Sequence, residues 1–206
     1  MRKLISINHL IRMLAAIMLL SALPVIADEL ETINQRVLKP ENMEASFNQK
    51  KYLKILTTPL VSAGHFWISR KNGVVWQVEK PFYSRVVITG DGVSLSDKQS
   101  QRIAKSMEYI GKILHSLLSG DLMKIKEQFT VLVKNTGKNN TDWEIELEPR
   151  SVLMRKGIEK ISMSGNEFIK QLILHEATGD KTEITFSDTY AMNALPVEVL
   201  NAFGKH

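Results

Sequence analysis

The chain has 206 residues, 44% of them hydrophobic and 24% charged, the balance of an ordinary globular protein long enough to bury one core. Its formal charge of +5 falls to +2 when Arg2, Lys3 and Arg12 are set aside (5 − 3 = 2); no Arg/Lys stripe interleaved with aromatics follows, which argues against a nucleic-acid binder. There is no cysteine, so the fold must stand on its core rather than on disulfides, and a lipid-modified N-terminal cysteine is excluded.

The N-terminus reads as a targeting segment. Basic residues precede an apolar run from Met13 to Val25, and Val25-Ile26-Ala27 offers a small residue at a cleavage point. The run is short against the ~20 residues of a spanning helix. The pattern predicts a secretory signal peptide over 1–27, cleaved after Ala27. Residues 28–206 are then expected to form a single domain, soluble after cleavage.

Leu30, Ile33 and Val37 recur at spacings of three and four, which predicts a short amphipathic helix over Asp28–Leu38, ended by Pro40. Met43, Ala45 and Phe47 alternate with polar residues and open a strand expected to run to Leu56. After Thr57-Thr58-Pro59, two apolar, aromatic-rich runs flank Lys71-Asn72-Gly73, a hairpin signal. Phe66, Ile68 and Arg70 share one strand face, with Val74, Trp76 and Val78 as the corresponding row of the second strand. That row ends in an arginine. Arg85–Thr89 and Val93–Leu95 make a second hairpin about Gly90-Asp91-Gly92. Strands in this order predict an antiparallel meander.

The period then changes. Ile103, Met107, Ile110, Leu114, Leu117 and Leu118 form a helical apolar stripe, with His115 at its edge. Gly120 and Asp121 suit the end of this helix and the cap of a short second one. Strands resume at 129–134, 143–147, 157–163, 168–175 and 181–187. Pro196 to Phe203 predicts a terminal helix packing on the end of a barrel.

Signatures of catalysis are missing. There is no Gly-x-Ser-x-Gly elbow, no His-Glu-x-x-His, no phosphate loop and no dinucleotide fingerprint. His65, His115, His175 and His206 have no metal-ligand spacing. No enzyme, cofactor or metal is expected. What remains is apolar surface on a meander and on a helical insertion. These two surfaces either pack shut as a core or enclose an apolar cavity, for which methionines are an adaptable lining.

Ala45-Ser46-Phe47-Asn48-Gln49 resembles the Ala-Ser-Phe-x-Gln signature of the LolA family of periplasmic lipoprotein carriers. Gly64-x-Phe66-Trp67-Ile68-x-Arg70, then Val74-x-Trp76 and Pro81, is similar to that family's Gly-x-Leu-Trp-x-x-Arg-Pro-x-x-x-x-Trp and downstream proline. The resemblance implies an α+β fold: an incomplete, half-open antiparallel β-barrel with an α-helical lid over an apolar cavity. It implies a soluble carrier in the periplasm of a Gram-negative bacterium, taking the acyl chains of lipoproteins from an inner-membrane ABC exporter to an outer-membrane receptor. The family's lid-linking arginine falls on Arg70, and a cavity aromatic falls on Val74. Lys71 stands where the family has proline and Val74 where it has an aromatic, which leaves the cargo open between lipoprotein and another lipidic or polyene product.

On this footing Arg70 is the expected latch between sheet and lid. Phe47, Phe66, Ile68, Val74 and Trp76 from the sheet, with Ile103, Met107, Ile110 and Leu114 from the lid, are the expected lining. Reversed strand parity would instead put Trp67 and Val75 inside. A monomer is expected. The alternative function is a periplasmic lipid or lipoprotein sensor or interaction module without carrier activity; a packed domain with no ligand is a third.

Overall fold

The computed structural model describes residues 25–37, 39–90, 93–95, 101–119, 121–136 and 142–204, with the side chains of 25–28, 95, 101–108 and 118 excepted. Residues 1–24, most of the predicted signal segment, lie outside the described residues. Helix α1 (Val25–Arg36) leads to strands β1 (Asn42–Tyr52), β2 (Leu60–Ser69), β3 (Gly73–Lys80), β4 (Ser84–Ile88) and β5 (Val93–Leu95). Helices α2 (Gln101–Ser119) and α3 (Leu122–Gln128) follow, then β6 (Phe129–Thr136) and β7 (Trp143–Pro149). A four-residue helix α4 (Val152–Arg155) precedes β8 (Ile158–Gly165), β9 (Ile169–Glu176) and β10 (Lys181–Met192), and α5 (Val197–Phe203) ends the described chain.

The strands form one antiparallel sheet in the order β5-β4-β3-β2-β1-β10-β9-β8-β7-β6. It is two meanders joined where β1 pairs with β10, and it does not close: β5 and β6 remain edges. This is the half-open α+β architecture. The β1–β10 register shifts between Glu44 and Ser46, where β10 carries an extra residue and Asp188 adopts a φ of 50°. A bulge of this kind bends a strand and strengthens its twist. It also lets Phe186 and Thr189, three residues apart, reach the same inner cavity.

One sheet face, here the inner face, carries the main core. Leu30 and Ile33 of α1, and Val37 just after it, are buried there, with α1 packed on β6. The apolar stripe of α2 (Ile110, Ile113, Leu114, Leu117) packs over β3, β4 and β5. Gly111 permits this close approach: a Cβ there would sit 2.2 Å from Ile88 Cδ1. Asp121 caps α3, its carboxylate accepting from Lys124 N.

Three expectations are corrected. β1 ends at Tyr52 rather than Leu56, because the backbone at 53–59 leaves the sheet; Lys54 N donates to Asp180 Oδ1 at 3.0 Å and Ile55 points into solvent. α1 begins at Val25, before the predicted cleavage point. The terminal helix α5 lies across the outer face rather than on a barrel end, where Val199 and Ala202 bury Trp67, Val75 and Val87.

Candidate functional site

The inner face is built from alternation. Register pairs Phe66 with Trp76 and Ile68 with Val74, and Ala45 with Phe66, so the inward rows of β1, β2 and β3 lie side by side. Phe47, Phe66, Ile68, Val74 and Trp76 all sit in this core, none more than 3% exposed. Trp76 is its centre. Its ring lies 5.0 Å from Phe47 and 5.0 Å, edge-on, from Phe66, which in turn lies 5.6 Å from Phe186. Its indole N–H finds no acceptor among the described residues.

Ile110 and Leu114 of α2 meet this face; the side chains of Ile103 and Met107 lie outside the described residues. Between sheet and helix remains an apolar cavity of about 10 Å³, lined by Met43, Ala45, Phe66, Ile68, Leu114, Ile169, Phe186 and Thr189. That is space for about one water, against roughly 300–1,000 Å³ in pockets that enclose small ligands. The described conformation is therefore closed. Among the described residues, a molecule larger than water could enter this cavity only if the helices parted from the sheet.

Residue 70 is where three segments meet. Its N–H donates to Glu41 O at 3.0 Å, and its guanidinium Nη1 donates to Lys39 O at 3.2 Å. Both bonds tie the α1–β1 connection to the β2–β3 turn. The link to α2 runs through the backbone: His115 Nε2 lies 3.3 Å from the Arg70 carbonyl, and Nε2 must carry the proton to bond there. Among the described residues the guanidinium makes no bond to α2. His115 was missed as a tie because its only sequence signal is a polar residue beside an apolar stripe. Next to it, the Lys124 ammonium holds the Asp121 carboxyl below the usual carboxylate range, with a weaker contribution from His115. The two oppositely charged side chains lie 2.7 Å apart.

Met43, Ile169, Phe186 and Thr189 are further lining residues. Met43 and Phe186 could have been found from strand alternation with Phe47 and Ile184; Thr189 could not, because the bulge inverts its parity. Among the described residues no group of three His, Cys, Asp or Glu side chains could hold a metal ion. No described helix is long and apolar enough to cross a membrane.

Residues 39–199 match the family described as outer membrane lipoprotein carrier protein LolA. The chain belongs to this family. It is 26% identical over 174 residues to the outer-membrane lipoprotein carrier protein of Dechloromonas aromatica (strain RCB), covering 82% of this chain and 81% of that one. To the protein of the same description from Pseudomonas fluorescens (strain Pf0-1) it is 25% identical over 193 residues, covering 91% of each. Among solved structures it is similar to a LolA superfamily protein from Nitrosomonas europaea (TM-score 0.47, 10% identity, 84% of this chain and 96% of that one). MucB is another (TM-score 0.49, 10% identity, 84% and 61%). At these identities the chain is a divergent LolA family member. Of its two departures, Val74 is fully buried on the inner face and Lys71 stands exposed in the β2–β3 turn.

Proposed function

We propose that the mature protein is a periplasmic carrier that takes up the acyl chains of a lipoprotein, or of a related lipidic cargo, between its inner sheet face and helices α1–α3. It moves them from the inner towards the outer membrane. An inner-membrane ABC exporter is the donor in this reading, an outer-membrane receptor the acceptor, and the carrier itself a monomer exported by its signal peptide. The match to the lipoprotein carrier family over residues 39–199 carries the reading. The aromatic-lined inner face, covered by the apolar stripes of the helices, supports it.

The physical problem for a carrier is release. Burying each CH₂ of an acyl chain is worth ~0.8 kcal/mol, so a long chain offers more affinity than a transient carrier needs. Here the cover helices are the chain's competitor. Leu30, Ile33, Val37, Ile110 and Leu114 occupy the inner face when it is empty, so loading must expose them and unloading buries them again. Net affinity is the difference between two apolar burials, which is smaller than either. The bond from His115 to the Arg70 carbonyl and the bonds from Arg70 to 39–41 add a few polar ties on the closed side. Arg70 acts as a latch by holding the turn to which both connections attach. Once the cover opens, the unpartnered Trp76 N–H offers a donor for an ester or amide carbonyl at the head of a chain.

Lipid extraction and mass spectrometry of the purified mature protein test the reading, followed by transfer of a labelled lipoprotein to acceptor membranes. Bound acyl chains and transfer are expected. Bound chains without transfer would favour the sensor or interaction module, and a protein that neither retains nor takes up lipid would sink both.

A further inference from the structure

The two rims of the sheet differ in their exposed side chains. Antiparallel register puts the β1–β2 loop (53–59), the β3–β4 turn (81–83), the β7–β8 connection (150–157) and the β9–β10 turn (177–180) at one rim. Three of them are joined by hydrogen bonds: Lys54 N donates to Asp180 Oδ1, and Ala177 N to Gly157 O. Large apolar side chains stand out from it into solvent. Ile55 is 88% exposed, Phe82 81% and Leu153 76%, each beside a second exposed apolar residue (Leu56, Tyr83, Val152). At the opposite rim, the described turn residues 70–72, 89–90 and 166–168 carry no exposed large apolar side chain, their one large apolar residue, Phe168, being partly buried against the core; exposed apolar residues beyond the end of β10 belong to α5 (Val197, Leu200).

Charge distinguishes this rim further. Its loops carry four cations (Lys54, Arg150, Arg155, Lys156) against one carboxylate, Asp180, and that carboxylate is engaged by a backbone N–H. Among the described residues none of the four cations forms an ion pair. Arg150 and Arg155 donate instead to the carbonyls of Phe129 and Pro149. Apolar tips ringed by uncompensated cations match the boundary layer of a membrane with anionic headgroups, where acyl tails accept the former and phosphates the latter. We propose that this rim docks the protein reversibly on an anionic lipid surface. The inference goes beyond the carrier reading and does not rest on lipoprotein cargo. The cavity and residue 70 lie towards the far end of the strands, so docking and opening of the cover are separate events.

Flotation of the mature protein with vesicles of phosphatidylethanolamine and phosphatidylglycerol tests it, against phosphatidylcholine vesicles and against native membranes with and without protease treatment. Binding to the anionic vesicles is expected, weakened by salt. It should fall about fivefold for each of Lys54→Gln and Lys156→Gln, and be lost in the combined Ile55→Ser, Phe82→Ser, Leu153→Ser variant. All these positions are exposed, and an unchanged melting curve confirms the fold. The proposal is overturned if neither vesicle binds, if phosphatidylcholine binds equally, if the triple variant binds as before, or if binding requires a protease-sensitive component of native membranes. That last outcome would assign the rim to a protein partner.

Discussion

If loading requires α2 to leave the sheet, a covalent staple between them should abolish it. The structure offers one position for that staple. A Cβ built on Gly111 of α2 lies 3.8 Å from the Cβ of Ile88 on β4, the mean Cβ–Cβ separation of a disulfide. The chain has no cysteine of its own, so the pair Ile88→Cys/Gly111→Cys can close in only one way. The bridge would span 23 residues (111 − 88), which chain entropy converts to about 3 kcal/mol of stabilisation. For a chain of this size that raises the melting temperature of the oxidised over the reduced protein by about 6–12 °C. Comparing one protein in two redox states removes the cost of the substitutions themselves, which is real: truncating Ile88 leaves space that the second sulfur fills only in part.

The assay is uptake of a fluorescent fatty-acyl probe, with intact mass confirming the bridge. Oxidised protein should bind at least tenfold more weakly than wild type, and reductant should restore binding. A quantitatively bridged protein that loads as well as the reduced one would refute movement of α2. Entry would then have to pass beneath α1 alone.

Other expectations follow from single contacts. His115→Leu removes the bond to the Arg70 carbonyl, a loss of about 0.5–1.5 kcal/mol, and should speed probe loading; Arg70→Leu keeps that bond but should raise hydrogen exchange at Asn42 and nearby amides, and unchanged loading and release rates would end the latch role. Gly64→Ala places a methyl group 2.0 Å from the Gln77 carbonyl oxygen, so the β2–β3 pairing must shift; soluble yield and melting temperature should both fall, and a wild-type melt would contradict the close approach. Glu183 is held below the ordinary carboxylate range by the Lys181 hydrogen bond first, against opposing desolvation, and also by the Tyr52 hydroxyl. Its folded value lies under its unfolded one, so its contribution is present above about pH 4.3 and is lost as pH falls through the folded value. Glu183→Gln should flatten that part of the acid limb in urea titrations.

How much of this was legible depended on whether a feature is local. The hairpin about Asn72-Gly73 and the change of period from Ile103 are written in neighbouring residues, and the half-open sheet followed from the family resemblance of the Ala45–Pro81 motifs. Strand parity was not legible. Trp67, Val75 and Val87 are as apolar as Phe66, Val74 and Val86, because α5 covers this part of the outer face while α1 and α2 cover the inner one. Alternation distinguishes two faces only when one of them meets water. The partners of Arg70 were equally hidden, since Lys39 and His115 lie 31 and 45 residues away in sequence.

The covering of both faces has a consequence for how such a sheet can work. With α5 holding the outer side, opening the inner side does not leave β2 and β3 without a core; Trp67, Val75, Val199 and Ala202 remain packed. The sheet can thus act as a rigid floor while the cover moves. The substitutions that separate these roles are on opposite faces of the same strand pair. Val75→Ala should lower stability by about 1–3 kcal/mol through lost packing without changing the affinity of folded protein for an acyl probe. Val74→Ala, one residue away and fully buried on the inner side, should change both. If the two variants alter probe affinity alike, the division into a floor and a cargo face is wrong.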